Sequence, residues 1–183
     1  MKYNNCEHLK YPEIIKEPVL KALSYFPELK DIPIEFKFKK NIKRSTMQAQ
    51  PRFSKIFSPI HKREYLILIK TRFKLGDVNL PIEELPEEIL IGWLGHELGH
   101  IMDYQRMSNW KLIWFGMKYL TSNKAIINAE RRADEFAVRQ GMHEYILKTK
   151  DFIFNHADIS EHYKKRIKKF CLSPEEIMEL VTG

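Results

Sequence analysis

The apolar positions of this chain recur with two periods, and the change from one to the other falls near residue 80. Before it, Ile34-Glu35-Phe36-Lys37-Phe38-Lys39 alternates apolar and charged side chains, as a half-buried strand does. The run from Tyr65 to Ile69, between Glu64 and Lys70, is continuously apolar and predicts a strand covered on both faces. Between the two, the polar stretch from Asn41 to Gln50 and then Pro51, Phe53, Phe57 and Pro59 read as a loop or an irregular strand pair. Upstream, Ile14, Ile15, Val19, Leu20, Leu23 and Phe26 recur at helical spacing, with Pro12 suited to a first turn and Pro18 implying a kink partway. Gly76-Asp77 predicts a turn, and Pro81 to Pro86 leads into a long helical pattern.

That pattern predicts a helix from Glu87 to about Arg106. At about 100° per residue it has three faces. Trp93, His96, Glu97, His100 and Tyr104 share one, and Leu90, Ile91, Leu94, Leu98, Ile101 and Met102 lie opposite. Gly92, Gly95 and Gly99 form a stripe between them. Glycine inside a helix costs roughly 1 kcal/mol relative to alanine, so the stripe predicts a second helix packed unusually near. The segment from Asn128 to Gln140 fits, because Glu130, Ala133, Asp134 and Ala137 share a face and Gly141 supplies a stop. Beyond it, His143 to Lys148 reads as a short helix followed by the segment Asp151 to His156, and Ser173-Pro174-Glu175-Glu176 is a capped helix start. The fold class expected is α+β, mostly helical, with a small antiparallel sheet before the long helix. One domain over 1–183 is expected, with a sheet-containing part to about 80 and a helical part from about 86.

Composition narrows the class. The 183 residues, 44% hydrophobic and 30% charged, suffice to bury a core. Only Cys6 and Cys171 are present and no C-x-x-C occurs, which argues against a disulfide framework or a thiolate metal site. With no leader-like apolar stretch after Met1, a reducing, cytoplasmic setting is expected. No apolar run approaches the roughly 20 residues that span a bilayer. The nearest, Trp110 to Leu120, is broken by Lys111, Gly116 and Lys118 and reads as a core helix or cleft wall in preference to a membrane-docking element. The net charge of +7 includes a cluster at Lys37, Lys39, Lys40, Lys43 and Arg44 and another from Lys164 to Lys169. A charged sheet edge that resists aggregation explains the first better than a nucleic-acid arm, and a solvated helix face explains the second.

The chemistry lies in His96-Glu97-Leu98-Gly99-His100. Histidines four apart on a helix project together and can hold one metal ion, while Glu97 reaches past it toward an activated water. The glycine stripe would bring the second helix close enough for Glu130 to become a third ligand. Asp134, one turn on, could then accept the free ring N–H of His96 or His100. Taken alone, Glu130 and Asp134 would instead pair with Arg131 or lysines on a surface helix.

Together the H-E-x-x-H and the later Glu130-x-x-Ala133-Asp134-x-x-Ala137 resemble the gluzincin metallopeptidases, most of all the M48, HtpX-like type. The resemblance covers about Pro86 to Gly141. It implies a zincin-like fold with zinc (Zn2+) held by His96, His100 and Glu130, Glu97 as general base and acid, and Asp134 behind the ligands. The segment from Ser160 to Ile167 departs from the family, since it holds His162 and Arg166 but lacks the His-Pro that relatives carry. Asp103 and Arg106 stand where a metzincin would place its Gly and third His.

The function expected is zinc-dependent cleavage of a polypeptide substrate, with Tyr104, His143, His162 or Arg166 as a second electrophile that these residues do not rank. A DNA-associated protease using the basic surface and a non-catalytic zinc-binding scaffold are the alternatives. Oligomeric state is not written in the sequence.

Overall fold

Strands occupy the first part of the chain and helices the second, as the change of period implies. The computed structural model describes residues 3–6, 8–42, 45–75, 78–156 and 158–183. The turn expected at Gly76-Asp77, and Lys43 and Arg44 of the basic cluster, lie outside them. The strands are β1 (Tyr3–Cys6), β2 (Leu9–Pro12), β3 (Ile34–Lys39), β4 (Met47–Pro51), β5 (Tyr65–Lys70), β6 (Arg72–Leu75) and β7 (Val78–Pro81). The helices are α1 (Lys16–Leu23), α2 (Glu87–Gln105), α3 (Asn109–Thr121), α4 (Asn123–Ala137), α5 (His143–Asn155), α6 (Glu161–Phe170) and α7 (Pro174–Thr182).

The main sheet has the order β1-β2-β3-β5-β4, and β6 and β7 form a separate antiparallel pair. It is mixed, which corrects the antiparallel expectation. β2 runs parallel to β3 and β3 parallel to β5, while β1 and β4 are antiparallel to their neighbours. The reason is connectivity: α1 carries the chain from β2 back to the start of β3, a crossover that a hairpin cannot make. β5 is therefore interior and the open edge belongs to β4. Burial of Tyr65, Ile67, Leu68 and Ile69 agrees with the apolar run. Lys37 and Lys39 lie on the half of β3 that β2 does not pair, where charge discourages further strand addition.

Three helical expectations change. The helix near residue 20 is shorter, because Leu9–Pro12 is a strand and Glu13–Ile15 a 3-10 turn. Pro18 then falls in the first turn of α1, where its missing N–H costs nothing, and no kink is needed. The segment from His143 continues as one helix to Asn155. The helix containing Trp110 to Leu120 is not a core element: on α3 only Leu112 is fully buried, whereas Trp110, Trp114, Met117 and Leu120 are exposed.

α2 is the centre of the molecule. It is apolar on nearly all sides and nearly all buried, packed against α1, β4, α4 and α5. Glu87 and Glu88 sit in its first turn, where the helix dipole favours acids. At its other end the fully buried Arg63 donates to the Tyr104 carbonyl (3.1 Å) and to the Asn109 side chain (3.2 Å), pinning the corner between α2 and α3.

The glycine stripe is used as expected, but by two helices. A β-carbon on Gly99 would enter the space of the Ala133 carbonyl in α4, and one on Gly92 would meet the Tyr145 carbonyl and Thr149 hydroxyl of α5. Between them Gly95 faces Met142, in a wide turn where Gly141 takes a left-handed φ of 87° and ends the α4 run. Gly116 on α3 meets nothing. Gly99→Ala should thus force α2 and α4 apart and destabilise the chain by about 2 kcal/mol or more. Gly116→Ala should be neutral or stabilising by up to about 1 kcal/mol. Urea unfolding of both variants checks this, and equal effects would refute the close approach.

Candidate metal centre

Because α4 touches α2 at Gly99 and Ala133, side chains one turn to either side are brought face to face. Glu130 Oε2 lies 3.2 Å from His96 Nε2, and its Oε1 lies 3.9 Å from His100 Nε2. Each of the three residues offers an atom within 4.8 Å of the others, a group close enough to hold a metal ion. Donors about 2.1 Å from a tetrahedral centre stand roughly 3.4 Å apart, so the spacing and the N, N, O donor set suit a small divalent cation.

Asp134 orients His96. His96 Nδ1 donates to Asp134 Oδ1 (2.7 Å), leaving Nε2 directed at the group. Asp134 Oδ2 in turn accepts from Lys150 Nζ (2.9 Å) and from the Leu172 N–H (3.0 Å). Both readings of Asp134 thus hold together, as a bond acceptor for histidine and as partner of a lysine. His100 is held differently. His100 Nδ1 is buried without a hydrogen-bond partner, and its ring stacks on Tyr104 with an interplanar angle of 19°. Glu130 is steadied by Tyr119 of α3, whose hydroxyl donates to Oε1 (2.6 Å).

Glu97 faces the sheet. Its Oε2 accepts the Ala49 N–H of β4 (2.5 Å), and the Ala49 carbonyl accepts from the Tyr104 hydroxyl (3.4 Å). Both main-chain groups of Ala49 therefore point away from β5 toward α2. Alternate residues of an antiparallel strand face the same way, so Met47 presents its N–H and carbonyl, and Pro51 its carbonyl alone, to that open side.

No family model, curated protein or solved structure matches this chain. What the site can do rests on its own electrostatics. Burial lifts Glu97 to about 7, and Glu130 adds to this while His96 and the Ala49 N–H oppose it. Burial also pushes His100 down to about 4, keeping it neutral as a ligand must be. Burial would push His96 down too, but the Asp134 and Glu130 carboxylates overcome it and hold the ring well above its ordinary value. Glu130 resists its own burial through the His96 bond, the two histidine charges and Tyr119, and falls to about 2.

Of the residues singled out from sequence, His96, Glu97, His100, Glu130, Asp134 and Tyr104 come together. Trp93 instead packs on Phe73 (5.2 Å) in the core. His162 is exposed, and His143 makes no hydrogen bond or ion pair with the ligands among the described residues. The Arg166 guanidinium lies over Phe170, with its charge felt at the Tyr119 and Tyr163 phenols. Tyr119 and Lys150 were not foreseen. Lys150 had a readable signal, a cation in line with Ile146 and Ile153 at helical spacing; Tyr119 had none.

Lys150 and Asp134 form a buried ion pair, and removing one partner of such a pair costs about 3 kcal/mol or more. Against the cost of burial, Lys150 and His96 hold Asp134 below its ordinary range. A carboxylate so depressed contributes stability that is complete above its unfolded value, about 3.9, and is lost as pH falls through the folded one. Lys150→Met should be destabilised by about 3 kcal/mol at pH 7, and its gap to the parent should narrow below about pH 4. Denaturant melts across that range test it; a gap independent of pH would refute the assignment.

Proposed function

We propose that this chain is a zinc-dependent metalloendopeptidase akin to the gluzincins of the M48, HtpX-like type. The observation that carries the reading is Glu97, a buried carboxyl next to the His-His-Glu group with an affinity for protons centred near neutrality. A site that only held a metal would have no use for a proton acceptor there. His96, His100 and Glu130 would hold the ion. When bound, zinc supplies Lewis-acid polarisation of the scissile carbonyl and a water whose pKa is lowered to about 7.

The chain's own residues do the rest. Asp134 fixes the His96 tautomer, and Tyr119 restrains Glu130. Glu97 takes the proton of the attacking water on a carboxylate oxygen and returns it to the leaving amine nitrogen. An extended polypeptide laid along the open edge of β4 would find the Met47 N–H and carbonyl and the Pro51 carbonyl facing it, on the side where Ala49 meets Glu97. Tyr104 is engaged by Ala49 and His100, so Tyr163, whose phenol feels the charges of Glu97 and Arg166, and Arg166 itself are the candidates for a second electrophile.

Metal analysis of the purified chain should find one zinc, lost in His96→Ala. Glu97→Gln should keep the zinc while cleavage of unfolded casein falls by about 100-fold or more. The base is active when ionised, so kcat/KM should rise with pH along an acid limb at or below 7, since a cation at the triad pulls Glu97 down. Absence of stoichiometric metal, or full activity in Glu97→Gln, would overturn the reading.

A further inference from the structure

α3 carries an apolar face that the molecule itself leaves uncovered. On its helical projection Leu112, Phe115 and Tyr119 point inward, toward Tyr104 and Glu130. Trp110, Trp114, Met117 and Leu120 spread over the opposite side, 77%, 57%, 48% and 77% exposed. The face extends beyond the helix, because Phe57, 66% exposed, meets Trp110 edge-on at 6.3 Å. Isolated exposed apolar residues are ordinary, but a joined set with two tryptophans marks a contact surface. Arg63 clamps it, bridging the corner of α2 and α3 from the segment next to Ile60.

The charge around this face is predominantly positive. No Asp or Glu occurs between Glu35 and Glu64, nor between Asp103 and Glu130, the two stretches that build it. Lys111 and Lys118 flank the tryptophans on one side of α3, and Lys62 lies two residues after Ile60; none has an acidic partner within salt-bridge distance among the described residues. On the lysine side α3 and α4 enclose an open cleft of about 790 Å³, where Arg106, Lys111 and Lys118 stand beside two internal ion pairs, Arg132 with Asp103 and Arg139 with Glu135, leaving an excess of positive charge. None of the candidate metal ligands lines it.

We propose that α3 and the Phe57 loop dock on an anionic lipid bilayer, with the aromatic face in the interfacial layer and the cleft receiving acidic headgroups. Three features select a membrane over a protein partner. The face is the convex side of one amphipathic helix, not a groove. Its aromatic content is of the kind that settles at membrane interfaces. Its lysines sit at the margin, where their stems lie along apolar surface and their charges reach headgroups. The proposal is independent of the peptidase reading, since docking requires neither metal nor Glu97.

The test is co-sedimentation of the full chain with vesicles of phosphatidylcholine alone or mixed with phosphatidylserine. Binding to the anionic vesicles is expected, weakening with salt and with a blue shift of tryptophan emission. Trp110→Ala with Trp114→Ala should weaken it by at least about tenfold. Lys111→Gln with Lys118→Gln should weaken it about 25-fold, at about fivefold per cation. These side chains are exposed, and unchanged circular dichroism and metal content would confirm intact folding. No preference for anionic vesicles, or binding that survives both double variants, would overturn the proposal. So would sedimentation showing that this face joins two copies of the chain while vesicles are ignored.

Discussion

The contact between the backbones of α2 and α4 at Gly99 and Ala133 is the constraint on which the site depends. A helix axis ordinarily keeps its neighbour 8–10 Å away because side chains intervene. Here one partner has no β-carbon and the other only a methyl, so Glu130 and Asp134 reach His96 and His100 with short side chains. The same economy operates at Gly92, where α5 comes near enough for Lys150 to reach Asp134. Glycine weakens α2 as an isolated helix, and burial on all sides offsets that cost through packing that a larger residue would prevent.

Closeness of this kind concentrates charge inside the protein, and the charges must balance. Asp134 is matched by Lys150, Glu130 by a protonated His96, and His100 stays neutral. The last ionisable group, Glu97, then meets no surplus positive charge, and burial holds it near 7. Exchanging the His96 proton for a divalent cation adds one positive charge to the cluster. That charge would stabilise the ionised form of Glu97, so metal occupancy of the group and ionisation of Glu97 are coupled by the same electrostatics.

Much of this was legible in the residues, for reasons that are local. The spacing of His96 and His100, the glycines between helices and the small residues beside Glu130 are consequences of the 3.6-residue turn, which a sequence displays directly. Gly141 ends its helix run for a backbone reason that is equally local. What was not legible depends on contacts distant along the chain. Whether 64–70 is an edge or an interior strand depends on where β4 lies, and the antiparallel expectation missed the crossover made by α1. The apolar content of α3 suggested burial, but hydrophobicity does not say whether a neighbour exists to cover it.

α3 shows why that last distinction matters for the site. Its inner face supplies Tyr119 to Glu130 and Phe115 to Tyr104, so the helix is part of the wall that holds Glu130. Its outer face is the exposed aromatic surface. A helix of 13 residues cannot shift on one side without carrying the other, and Arg63 fixes its start to the end of α2. Whatever contacts the outer face therefore bears on a rigid element one side chain away from Glu130, and a surface laid against α3 would lie close beside the His-His-Glu group.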